Sequence, residues 1–67
     1  MNYQQFYLRE WLISHPLLSL SGIEKQASIP KGTLRHFIKH RMGLPAKHLE
    51  NLIAVISDYG YTQVNDE

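Results

Sequence analysis

Sixty-seven residues, 43% of them hydrophobic and carrying a formal charge of only +1, form one small domain. A domain this size buries roughly 60% of the surface its unfolded chain exposes. The absence of cysteine excludes disulfides and thiolate metal sites, and no apolar run approaches the roughly 20 residues of a membrane span. Nothing resembles a signal peptide, so a soluble, cytoplasmic protein is expected.

Residues 2–14 contain neither Gly nor Pro, and Asn2 is placed to cap a first helix that His15-Pro16 ends. Its apolar residues Tyr3, Phe6, Tyr7, Leu8, Trp11, Leu12 and Ile13 exceed what one narrow stripe needs. Phe6 and some of the other rings are expected to fill the core, and the surplus leaves aromatic surface. Ser21-Gly22-Ile23-Glu24 matches a capping box, in which the serine and glutamate side chains each take a free backbone N–H. A second helix is expected from Ser21 to about Ser28, because Pro30 biases Ile29 toward extended backbone. So short a helix depends on packing through Ile23 and Ala27.

Pro30 suits the first turn of a third helix that runs to about His40, before Gly43. Leu34, Phe37, Ile38 and Met42 supply its apolar side. Gly32 falls in its first turn, where it either admits close approach of DNA or a neighbouring helix or is neutral variation in a frayed turn. Leu44-Pro45 opens a fourth helix that Gly60 stops after Tyr59. Leu49, Leu52, Ile53, Ile56 and Tyr59 follow the helical repeat and read as core. Residues 1–61 thus form the domain and 62–67 a polar tail.

Charge is unevenly placed along this plan. No acidic residue occurs between Lys31 and Leu49, and five of the seven Lys and Arg residues lie there. Lys31, Arg35 and Lys39 recur every four residues, so they stack along one side of a helix, flanked by His36 and His40. Such a row meets a polyanion, or is simply the solvated face of an amphipathic helix.

Two short helices joined by a tight turn, the second one basic, follow the plan of a helix-turn-helix DNA reader. The run from Ile23 to Phe37 (IEKQASIPKGTLRHF) resembles the helix-turn-helix of the phage repressor and Cro-like superfamily. Arg41-Met42-Gly43-Leu44-Pro45 resembles the loop that follows the recognition helix in many members. Ile23, Ile29, Leu34 and Phe37 take the apolar positions, and Ser28 stands where the turn glycine usually does. Glu24 departs from the small alanine expected at the helix crossing, and Pro30 from the Ser or Thr cap of the recognition helix. The resemblance spans residues 19–59. It implies an all-α, compact four-helix domain of the lambda-repressor-like kind.

The resemblance also implies a sequence-specific transcriptional regulator in a bacterial cell or phage-infected host, with residues 30–40 in the major groove. Lys31, Gly32, Thr33, Arg35 and His36 are then the base-contacting positions. Arg35 offers the donor fork that suits guanine, and Thr33 a methyl that suits thymine. Lys25, Lys39, His40, Arg41 and Lys47 are assigned to phosphates. Double-stranded DNA is the implied partner, and a homodimer on DNA is expected because one recognition helix covers few base pairs. The apolar surfaces open to such pairing are Tyr3, Tyr7 and Trp11 and the end of helix 4 at Tyr59 and Tyr61.

Other chemistry is weaker in the sequence. His36 and His40 have a metal-ligand spacing, yet no third or fourth ligand is evident, so neither metal nor cofactor is expected. No nucleophile with an adjacent base, phosphate-binding glycine loop or carboxylate pair points to an enzyme. The alternative to DNA reading is a helix-turn-helix scaffold used for protein contact through the aromatic first helix.

Overall fold

The computed structural model describes residues 3–40 and 42–62; among them the regular structure is four α-helices and one 3-10 turn, with no strand. Asn2, expected as a cap, lies outside the described residues, as do Arg41 and residues 63–67. The helices are α1 (Tyr3–Ile13), α2 (Leu20–Ala27), α3 (Thr33–His40) and α4 (Ala46–Ile56). α2 packs on α3 and α4, and α1 packs on α3.

In α1, Leu8 and Leu12 stand four apart and are both buried, as one face of a helix requires. Phe6 is corrected by this geometry. It lies two positions from Leu8, about 200° round the helix, and is 46% exposed.

α2 begins one residue earlier than the capping box predicts, and by a different device. Ser19 is the N-cap, its Oγ accepting the Gly22 N–H at 3.1 Å. Glu24 is therefore inside the helix, where it faces α3 instead of reaching back to Ser21. At the other end Ser28 adopts the left-handed conformation (φ 57°, ψ 41°), and its N–H turns back to the carbonyls of Glu24 and Lys25. The chain then reverses, and Ile29 is buried.

α3 starts at Thr33, three residues after Pro30. The Thr33 N–H donates to the Pro30 carbonyl at 3.2 Å, and Gly32 has φ 89°, so residues 30–32 form a turn before the helix. A Cβ at Gly32 would meet nothing within 4 Å. Backbone conformation rather than close approach of a neighbouring helix thus accounts for the glycine within the fold. The orphan amides at the start of α3 are met from α2: Glu24 Oε2 accepts the Leu34 N–H at 2.8 Å and Oε1 the Gly32 N–H at 3.1 Å. Glu24 is only 4% exposed, and the helix dipole favours a carboxylate at that end.

Leu34 and Phe37 of α3 are fully enclosed and Ile38 is half-buried against them. Met42 is not part of this face: α3 ends at His40, the helical register is lost, and Met42 is 56% exposed. α4 starts at Ala46, with the Pro45 carbonyl accepting the Leu49 N–H at 2.9 Å. Leu52 and Ile56 are buried, with Leu49 and Ile53 half-buried beside them. After Ile56 the chain tightens into a 3-10 turn, Ser57–Tyr59, closed by Gly60 at φ 104°. The tightening rotates Tyr59 out of the α4 stripe, so it is 49% exposed.

The ring that enters the core is Tyr61, 4% exposed. It lies edge-on to Trp11 with centroids 5.4 Å apart and tilted to Tyr7 at 6.1 Å. Tyr61 is accordingly withdrawn from the surfaces open to a partner.

Three stability outcomes follow from these contacts. Glu24→Ala leaves the buried Leu34 N–H and the Gly32 N–H without their acceptor and is expected to cost about 2 to 3 kcal/mol in urea unfolding. Glu24→Gln, which retains one acceptor oxygen, should lose less. Ser28→Gly removes the steric penalty of a left-handed L-residue and should raise stability by about 0.5 to 1 kcal/mol in the same assay.

Burial, followed by the nearby Tyr7 charge, raises the Tyr61 hydroxyl above its ordinary 10.0. A folded-state value above the unfolded one makes this stability complete below about pH 10 and lost as pH rises through the folded value. The Tyr61 hydroxyl also has no hydrogen-bond partner among the described residues. Tyr61→Phe should therefore hold or raise the neutral-pH midpoint and flatten the decline of stability above pH 10.

Candidate nucleic-acid interface

The start of α3 is oriented by Glu24, and its far end by α1. Arg9 Nε donates to the Ile38 carbonyl at 2.7 Å, placing a cation against the carbonyl end of α3, where the dipole favours it. The following loop is held by Gln5: its Nε2 donates to the Leu44 carbonyl at 3.2 Å, and its Oε1 accepts the Leu44 N–H at 3.1 Å. Gly43 makes that approach possible, since a Cβ there would stand 2.8 Å from Gln5 Oε1. Both ends of α3 are thus fixed by polar contacts from other helices.

With α3 held this way, Leu34 and Phe37 face inward, and Arg35, His36, Lys39 and His40 are exposed. Thr33 is half-exposed, and Lys31 and Gly32 stand exposed in the turn before the helix. Lys31 is therefore outside the helical ladder assumed for it, yet it remains beside Arg35. Leu20, Ser21, Glu24, Lys31, Gly32 and Arg35 line one shallow groove. Ser21, Glu24, Lys25, Ile29 and Lys31 line an overlapping one. The start of α2 and the start of α3 consequently open on one side, bringing Lys25, Lys31 and Arg35 together.

Lys39 and His40 lie at the other end of α3, outside both grooves, and Lys47 is exposed on the first turn of α4. Arg41 falls outside the described residues. The His36 and His40 rings have centroids 4.5 Å apart, and His36 Nε2 is 3.0 Å from Met42 Sδ.

The described acidic residues form no ion pair on this side. Glu10 pairs with Arg9 at 2.9 Å, and Glu24 is engaged with backbone amides. Among the described residues no acidic side chain pairs with Lys25, Lys31, Arg35, Lys39 or Lys47. Because Glu24 and the Pro30 carbonyl already take the Gly32, Leu34 and Thr33 amides, an anion on this face meets side chains there.

Two residues were not singled out from sequence. Arg9 and Gln5 contact partners 29 and 39 residues away, separations with no local spacing signal. Ser21, assigned to a cap, instead presents its hydroxyl side chain in the groove. Comparison with family models, curated proteins and solved structures finds no match to this chain.

Proposed function

We propose that the chain is a sequence-specific DNA-binding regulator in which α2, the turn and α3 act as a helix-turn-helix, as the resemblance to the phage repressor and Cro-like superfamily implies. The observation that carries this reading is that Lys31, in the turn before α3, and Arg35 and Lys39, on α3, are all exposed and unpaired. In this reading α3 enters the major groove. Arg35 and Thr33 meet base edges with Lys31, Gly32 and His36 beside them, while Lys25, Lys39, His40, Arg41 and Lys47 meet phosphates. The regulator acts by occupying its operator.

A second reading rests on α1, whose Tyr3, Phe6 and Tyr7 are exposed on a folded domain. Such a surface suits a protein partner or a second copy of the chain on adjoining half-sites. Tyr59 is exposed as well, whereas Tyr61 is not available and Trp11 only partly so.

Selection of duplexes from a random library, followed by titration at several salt concentrations, tests the proposal. Arg35→Ala should cost about 1 to 3 kcal/mol and relax preference at one base position. Lys39→Ala should weaken all duplexes alike. Neutralising about five phosphates gives a log-log salt slope of roughly −4.5 for the native chain, and Lys39→Ala should reduce its magnitude by about 0.9. Failure to enrich any sequence, with both variants binding as the native chain does at low salt, would remove α3 as the reader and favour protein contact through α1.

A further inference from the structure

The end of α3 carries a group of side chains that neither core packing nor the Glu24 network uses. His36 and His40 lie one helical turn apart with ring centroids at 4.5 Å, and Met42 Sδ lies 3.0 Å from His36 Nε2. All three residues are exposed. The helix supplies the two imidazoles, and Met42, beyond the end of α3, sets its thioether against His36.

The geometry points to a copper(I) site formed by His36, His40 and Met42. Two imidazoles that share an ion at about 2.0 to 2.1 Å per nitrogen in a trigonal set bring their ring centres to roughly 5.5 Å, so this exposed pair, at 4.5 Å, opens by about 1 Å to take the ion. The His36 nitrogen and the Met42 sulfur, now in hydrogen-bond contact at 3.0 Å, separate to roughly 3.7 Å when an ion takes the place of the proton between them. Two ring nitrogens and one thioether sulfur complete a three-coordinate set, which monovalent copper accepts.

Ligand softness and charge select the ion. A thioether favours copper(I) over harder cations, and imidazole is compatible with it. No carboxylate joins the set, and Arg35 and Lys39 on the same helix are unpaired. That surrounding positive charge penalises a divalent ion more than a monovalent one. The carbonyl end of α3, at His40, partly offsets the penalty. The site shares His36 and His40 with the proposed DNA face, but it does not rest on that reading, because its ligands and selectivity are tested on the protein without DNA.

The test is an anaerobic titration of the full chain with copper(I) in competition with a chromophoric copper(I) chelator. One ion per chain is expected, with X-ray absorption reporting one sulfur and two nitrogens. His36→Gln, His40→Gln and Met42→Leu should each weaken binding by about tenfold or more. His15→Gln, which alters a ring stacked on Trp11 at the other end of α1, should leave it unchanged. Circular dichroism should register no loss of helix, since the three ligands are exposed.

Zinc(II) offered alone should bind much more weakly. No copper uptake against the chelator would overturn the assignment. So would uptake undiminished by Met42→Leu, or zinc bound as tightly as copper.

Discussion

A single buried carboxylate holds the relation between α2 and α3. Glu24 projects from the middle of α2 and accepts backbone hydrogen bonds from Gly32 and Leu34, on either side of the first residue of α3. A helix of 8 residues is not stable alone, and its first amides lack partners within it. The carboxylate supplies those partners and at the same time defines where α3 begins relative to α2. A buried charge left without them would be costly, so the interaction selects against other placements of α3 as well as supporting this one.

That interaction also joins two features that look unrelated along the chain. Under the proposed helix-turn-helix reading, Pro30 stands where the recognition helix would have a Ser or Thr cap, and Glu24 stands where a small residue would be usual. The cap is moved from the start of α3 to the body of α2. Once Glu24 serves that end, the turn between the helices is free of the capping task. It consists of a left-handed Ser28, a buried Ile29 and the reversal through Pro30 and Gly32. The far end of α3 is secured by a cation from α1, Arg9, so both poles of the helix dipole meet a side chain of opposite sign.

The four helices and most of the core were legible because they depend on periodicity: Ile23, Ala27, Leu34, Phe37, Leu52 and Ile56 recur at helical spacing, and all are buried. Ile29, in the turn, was legible from the pattern of the motif. What escaped depends on through-space pairing. Glu24 obeys a local capping pattern with Ser21, and the competing partners on α3 outrank it only once α2 and α3 are side by side. Phe6 and Tyr61 exchange roles for a similar reason. Ring size marks Phe6 as a core candidate and position at the end of α4 marks Tyr61 as open surface, yet Leu8 and Leu12 set the inward face of α1, and Gly60 turns the chain so that Tyr61 returns to Trp11. In the candidate site, the exposed basic residues of α3 were legible from their spacing, whereas the grouping of Lys25 with Lys31 and Arg35 required the turn.

The near-zero charge of the chain argues less against a polyanion partner than it first suggests. Screening limits interactions between exposed charges to about 8 Å at physiological ionic strength, so a ligand on α3 responds to the charges near it and little to the sum. Of the six acidic residues, Glu24 is buried and its carboxylate oxygens are turned to amides, and Glu10 is paired with Arg9. Glu50 and Asp58 belong to α4 and the turn that follows it. Among the described residues the fold thus keeps these carboxylates out of ion pairs with the cations of α3, spending one of them to position the helix. The same carboxylate that orients α3 lines the groove beside Lys31 and Arg35 without pairing with either. Its oxygens are held by the Gly32 and Leu34 amides, so both cations stay open to a ligand.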